Sequence, residues 1–118
     1  AAAANFNYGN ARQGINLLEN LSEFLDRDQP GALPEVVDAE SGDLLGTPEQ
    51  AWSAGLFVHA IDSYMLGIKV RSDYVEIDPA PGVNCTRKNK RIGDQKLDIK
   101  VEDGEVTVLN DPELDLRF

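Results

Sequence analysis

A single cysteine, Cys85, stands in 118 residues, so no disulfide closes within the chain and no cysteine-rich tetrahedral metal site is available. A lone thiol fits a reducing compartment, and a cytoplasmic location is the expectation. Positive charge is scarce too: 11 Lys and Arg stand against 21 Asp and Glu, a net charge of −10. Affinity for a phosphate backbone comes from clustered cations, so nucleic acid is not the expected partner, and a neutral ligand such as a sugar suits the composition better. No run approaches the ~18 uninterrupted apolar residues of a membrane span, so no membrane partner is expected. Ala1 to Ala4 run into polar Asn5 without the basic segment of a signal peptide. Nothing repeats internally, and no motif calls for a metal or a cofactor. The abrupt opening without methionine predicts a piece of something longer.

Apolar residues make up 42% of the chain, enough to build a core. The pattern divides near Gly67. Ile15, Leu17, Leu18, Leu21, Phe24 and Leu25 recur at helical spacing and predict an amphipathic helix from Asn10 to Arg27, stopped by Asp28-Gln29-Pro30-Gly31. Asn5, Phe6 and Tyr8 precede it. Pro30 to Thr47, with two prolines and three glycines, reads as a long irregular loop that packs down through Leu33, Val36 and Val37. A second helix is predicted from Pro48 to Leu66, with Thr47 as N-cap, Pro48 first, Gln50 completing a capping box and Gly67 closing the end. Its body is apolar nearly all round, which predicts a helix buried on every side. The chain has too little other material to cover it, a second sign that it belongs to something larger.

From Tyr74 the signals are β. Tyr74, Val75 and Ile77 predict a short strand. Leu97, Ile99 and Val101 alternate with charged residues, Asp103-Gly104 predicts a hairpin turn, and Val106 and Val108 continue on the return. Leu114, Leu116 and Phe118 predict a last strand of a small antiparallel sheet. Arg87, Lys88, Lys90 and Arg91 read as a solvated basic turn. His59 reads as a satisfied structural histidine.

Glu35 stands out chemically: it follows a proline in a long loop and is flanked by Leu33, Val36 and Val37, surroundings that favour proton transfer by a carboxylate. The residues Leu33-Pro34-Glu35, Asp38, Ser41-Gly42 and Gly46-Thr47-Pro48-Glu49-Gln50-Ala51-Trp52-Ser53-Ala54-Gly55 together resemble the closing part of glycogen-debranching and amylo-alpha-1,6-glucosidase catalytic domains. The resemblance covers residues 30 to 70, with weaker similarity in the strands beyond.

The resemblance implies a mainly α, then β, chain. Residues 1–70 would be the last outer and inner helices and active-site loop of an (α/α)6 barrel, and residues 71–118 a small antiparallel β appendage. It also implies the C-terminal portion of an inverting glycoside hydrolase of alpha-glucans, with Glu35 as general base. In that setting Trp52 stacks on a sugar ring and Gln50 bonds a hydroxyl, against a core place for Trp52 and a capping role for Gln50. The partners implied are an alpha-glucan oligosaccharide and the remainder of the catalytic barrel. The general acid aligns with nothing here; Asp38 and Asp43 are near Glu35 in sequence and neither is assigned. The chain alone is therefore not expected to hydrolyse glycosides. The alternative is a non-catalytic carbohydrate-binding or regulatory module derived from such a barrel. The glycosidase reading rests on the helix from Pro48 to Leu66 being wrapped by protein on every side, with Glu35 at its opening end; a helix open to water, or a carboxylate turned away from any cleft, would remove it.

Overall fold

The computed structural model describes residues 1–27, 30–47 and 50–118. Among them the chain forms a loosely layered helical half and a tightly packed β half. Helix α1 (Ala2–Asn7) ends at Gly9, whose φ of +78° turns the chain into α2 (Ala11–Ser22) and then a 3-10 turn, Glu23–Asp26. The amphipathic helix expected over 10–27 is thus found, slightly shorter and tightened at its end. Gly14 lets the helices approach closely: a Cβ there would stand 2.8 Å from the Phe6 ring.

The segment after Pro30 is not wholly irregular. Val36–Val37 (β1) pairs antiparallel with Leu44–Leu45 (β2). Asp38 folds the intervening turn, its Oδ1 accepting the amides of Glu40 and Ser41 at 2.9 and 2.8 Å. This is the side-chain mimicry of a backbone turn that aspartate performs well.

Helix α3 runs from Ala51 to His59 and continues as a π-helical segment, Ala60–Met65, whose wider turns show in the Leu66 amide donating to the Ile61 carbonyl at 2.8 Å. Gly67, at φ +62°, closes it as the sequence predicts. The expected capping box is not formed. Gln50 itself occupies the cap position, with extended backbone and no side-chain capping bond; Pro48 lies outside the described residues.

The expectation of a helix buried on every side is also overturned. No residue of Ala51–His59 is buried, Trp52 is 78% exposed and Leu56 64%. The π-helical half packs against α1, α2 and β3 (Ile68–Val70), while α3 reaches the helical cluster through Phe57. Apolar composition shows only that burial would be favourable; it does not supply a cover.

The β half holds most of the core. Strand β3 pairs antiparallel with β4 (Val75–Ile77), and β4 pairs in parallel with β8 (Leu116–Arg117), not antiparallel as expected of the last strand. The second sheet is a meander of β5 (Cys85–Ile92), β6 (Gln95–Glu102) and β7 (Glu105–Val108). Asp103 and Gly104, both at positive φ (50° and 83°), make the tight turn that the sequence signals. Leu97, Ile99 and Val101 alternate inward and are fully buried with Leu66, Ile77 and Val83. A smaller cluster, Ala2, Leu18 and Ala60, serves the helices, and Ile61 and Met65 touch both clusters.

These three short α-helices and three small sheets are no barrel of helices, so the (α/α)6 expectation is corrected. The physical reason lies in lengths and contacts. An outer and inner barrel helix must pack along each other, whereas α3 reaches only nine residues and meets its neighbours mainly through its π-helical continuation. No helix among the described residues is long and apolar enough to cross a membrane.

Candidate functional site: a carboxylate at the rim of an apolar cleft

Glu35 follows two buried residues, Leu33 and Pro34, and is itself exposed. Four bonds fasten this tripeptide to Thr47 and to the start of α3. The Gln50 amide donates to the Leu33 carbonyl at 2.9 Å, and the Ser53 hydroxyl donates to the Pro34 carbonyl at 2.9 Å. The Glu35 amide donates to the Thr47 carbonyl at 2.9 Å. In return the Thr47 amide donates to Glu35 Oε2 at 3.3 Å. Burial of Leu33 and Pro34 fixes the backbone, since each buried carbonyl must find a donor, and the side chain that follows is left to face solvent.

Glu35 is among the residues lining a cleft of about 750 Å³ between α1, α2, the Leu33–Val37 segment and α3. The walls are largely apolar, from Leu17, Leu21, Leu56 and Phe57, with Ser53, His59 and Tyr64 as polar groups. Among the described residues lining it, Glu35 is the only carboxylate. A wide apolar cleft with a few polar groups is the usual form of a ligand site.

His59 is satisfied as expected, though not buried. Its Nδ1 lies 3.1 Å from Ser63 Oγ, and its ring stands edge-on to Tyr64 at 5.4 Å. Trp52 and Gln50 do not join Glu35 among the residues lining the cleft. Trp52 is 78% exposed and takes no place in the core of this chain. Gln50 contributes its backbone amide to the loop clamp. Asp38 is committed to its turn: the amides of Ser41 and Glu40 hold its carboxyl below the usual range, which suits a turn former and not a proton donor. Asp43 donates its amide to Ser41 Oγ at 3.2 Å in the same turn.

A second polar constellation has no counterpart in the sequence reading. Asp62, 3% exposed on the π-helical segment, accepts Arg87 Nε at 2.7 Å, Arg87 Nη2 at 3.2 Å and Lys90 Nζ at 2.9 Å. The basic run is therefore not a solvated turn but strand β5. Its register shifts between Arg87 and Lys90, and Asn89 adopts a φ of +56°. Residues three apart face opposite sides of a regular strand; the inserted residue brings Arg87 and Lys90 to the same side, towards Asp62. Burial raises the Asp62 carboxyl, but hydrogen bonds and charge from Arg87 and Lys90 outweigh it and leave the group below its ordinary value. The signal available in sequence was an acid inside an apolar helix, which demands a cationic partner.

Compared with known proteins, the chain matches no family model, no curated protein and no solved structure.

Proposed function

We propose that this chain is the part of an inverting, alpha-glucan-acting glycoside hydrolase of the debranching, alpha-1,6-glucosidase type that supplies the general base, Glu35. The wrapped helix on which the glycosidase assignment rested is not found in this chain, which counts against that assignment as well as removing the barrel setting. Support comes from the Leu33-Pro34-Glu35 and Gln50-Ala51-Trp52-Ser53-Ala54-Gly55 resemblance and from one structural observation: Glu35 lines a large cleft while its carboxylate accepts the Thr47 amide.

In an inverting hydrolysis one carboxylate draws a proton from water as the water attacks the anomeric carbon, while an acid on the opposite face protonates the leaving oxygen. The two stand roughly 6.5–9.5 Å apart. Glu35 fits the first role, being exposed to water yet held on a fixed backbone. The second carboxylate has to come from residues other than those lining this cleft. The neutral substrate also suits a chain of net charge −10, which would repel anions.

The test is the anomeric configuration of sugar released from an alpha-1,6-branched maltooligosaccharide by the enzyme carrying this chain, followed by proton NMR before mutarotation. First-formed β product supports the reading, and first-formed α product removes Glu35 from the role of base.

One observation favours a second reading, a non-catalytic carbohydrate-binding module: the Trp52 ring is open to solvent, as a stacking platform for a sugar would be. Trp52 is the sole tryptophan, so its fluorescence reports directly on maltooligosaccharide binding to the isolated chain. Saturable binding by a stable monomer favours the module, and a molten, aggregation-prone chain favours the enzyme portion.

A further inference from the structure

Two residues that the proposed chemistry leaves unassigned converge on Glu35. From α3, the Ser53 hydroxyl grips the Pro34 carbonyl at 2.9 Å in a partly buried bond, fixing the peptide from which Glu35 departs. From the other side comes Gly46, at φ +75°, where a Cβ would stand 2.8 Å from Glu35 Oε2. Its role differs from that of Gly31 and Gly42. They also have positive φ, at +85° and +74°, but a Cβ at either would meet nothing within 4 Å. Their backbone conformation serves turns alone, whereas at Gly46 the missing side chain is also the space that the carboxylate occupies.

We infer that Ser53 and Gly46 are positioning residues for Glu35: the Ser53 hydroxyl sets the backbone at Pro34, and the bare face of Gly46 lets the carboxylate lie against the Thr47 amide. This rests on the reading of Glu35 as the base. Neither residue need touch substrate. Because the atom facing Gly46 is the end of a flexible side chain, a Cβ there moves the carboxylate before it moves the main chain. Misplacing a catalytic group by about 1 Å costs on the order of a hundredfold in rate, so small displacements are readable.

The experiment has two arms. In the first, the Thr47 amide proton of this chain is followed by NMR while the carboxylates are titrated. An amide bonded to a carboxylate shifts as that carboxylate gains its proton, and Glu35→Gln identifies the response by abolishing it. Ser53→Ala and Gly46→Ala are expected to reduce the response by more than about half, and Ser53→Thr, which keeps the hydroxyl, to restore it. Unchanged Ile99 and Val101 amides certify the fold, and the Ser53 pair carries the test if Gly46→Ala does not fold. In the second arm, the same variants of the enzyme carrying this chain are expected to lose about tenfold to a hundredfold in kcat with KM nearly unchanged. A wild-type Thr47 response in Ser53→Ala and Gly46→Ala overturns the positioning roles. A lost response with undiminished kcat instead overturns Glu35 as the base.

Discussion

Replacing Asp62 by asparagine keeps the side chain's shape and removes its charge, leaving Arg87 and Lys90 to face a neutral amide. Removing one member of a fully buried ion pair costs about 3–5 kcal/mol, because the surviving charge stays desolvated. Here the surviving cations are 28% and 25% exposed, so each keeps some water and can swing outward. The expected loss is therefore smaller, about 2–3 kcal/mol. At roughly 4 °C per kcal/mol for a chain of this length, melting followed by circular dichroism falls by roughly 8–12 °C. The pH dependence is a second signature. The Asp62 carboxyl is lowered in the folded state, so its contribution is fully present above the unfolded value of about 3.9 and is lost as pH falls through the folded value. Acidification should thus close the gap between wild type and Asp62→Asn. A loss under about 0.5 kcal/mol at neutral pH, the size of an ordinary surface change, would refute the stabilising role of the Asp62 ion pairs, as would a gap that persists in strong acid.

Other perturbations separate neighbouring causes. Gly67→Ala and Gly104→Ala both place a side chain at positive φ, but only at Gly67 would the Cβ overlap the Asp78 carbonyl; at Gly104 nothing lies within 4 Å. Gly104→Ala should cost about 1 kcal/mol and Gly67→Ala well over about 2 kcal/mol in urea denaturation, and equal costs would contradict the steric account. Trp52→Ala should change stability by under about 0.5 kcal/mol, whereas Ile99→Ala, in the fully buried row of β6, should cost about 2–5 kcal/mol. A large loss at Trp52 would mean that the ring is covered after all.

What could be read in the sequence were features set by near neighbours. The Leu97-Ile99-Val101 alternation and the Asp103-Gly104 turn needed only period and turn chemistry, and all three side chains are fully buried. The amphipathic α2 and the closing Gly67 were legible for the same reason. Strand β5 was not, because Arg87-Lys88-Asn89-Lys90-Arg91 carries neither β-branched residues nor alternation; its strand form comes from pairing with β6 and from Asp62, which lies 25 residues earlier. The exposed α3 was misjudged because an apolar surface states a preference for burial without stating who provides it. The candidate site was half legible. Glu35 could be picked from its flanks, but the cleft it lines is assembled from α1, α2, the Leu33–Val37 segment and α3, and no local pattern announces such an assembly. The roles of Ser53 and Gly46 depend on contacts 19 and 11 positions away in the chain and were invisible for the same reason.

For the proposed glycosidase reading the most direct measurement is turnover of a branched maltooligosaccharide by the Glu35→Gln form of the proposed enzyme, with binding of the same sugar measured in parallel. Loss of general-base catalysis should lower kcat by about a hundredfold or more, while affinity and melting temperature stay close to wild type. A Glu35→Gln enzyme that turns over at nearly the normal rate would contradict the account.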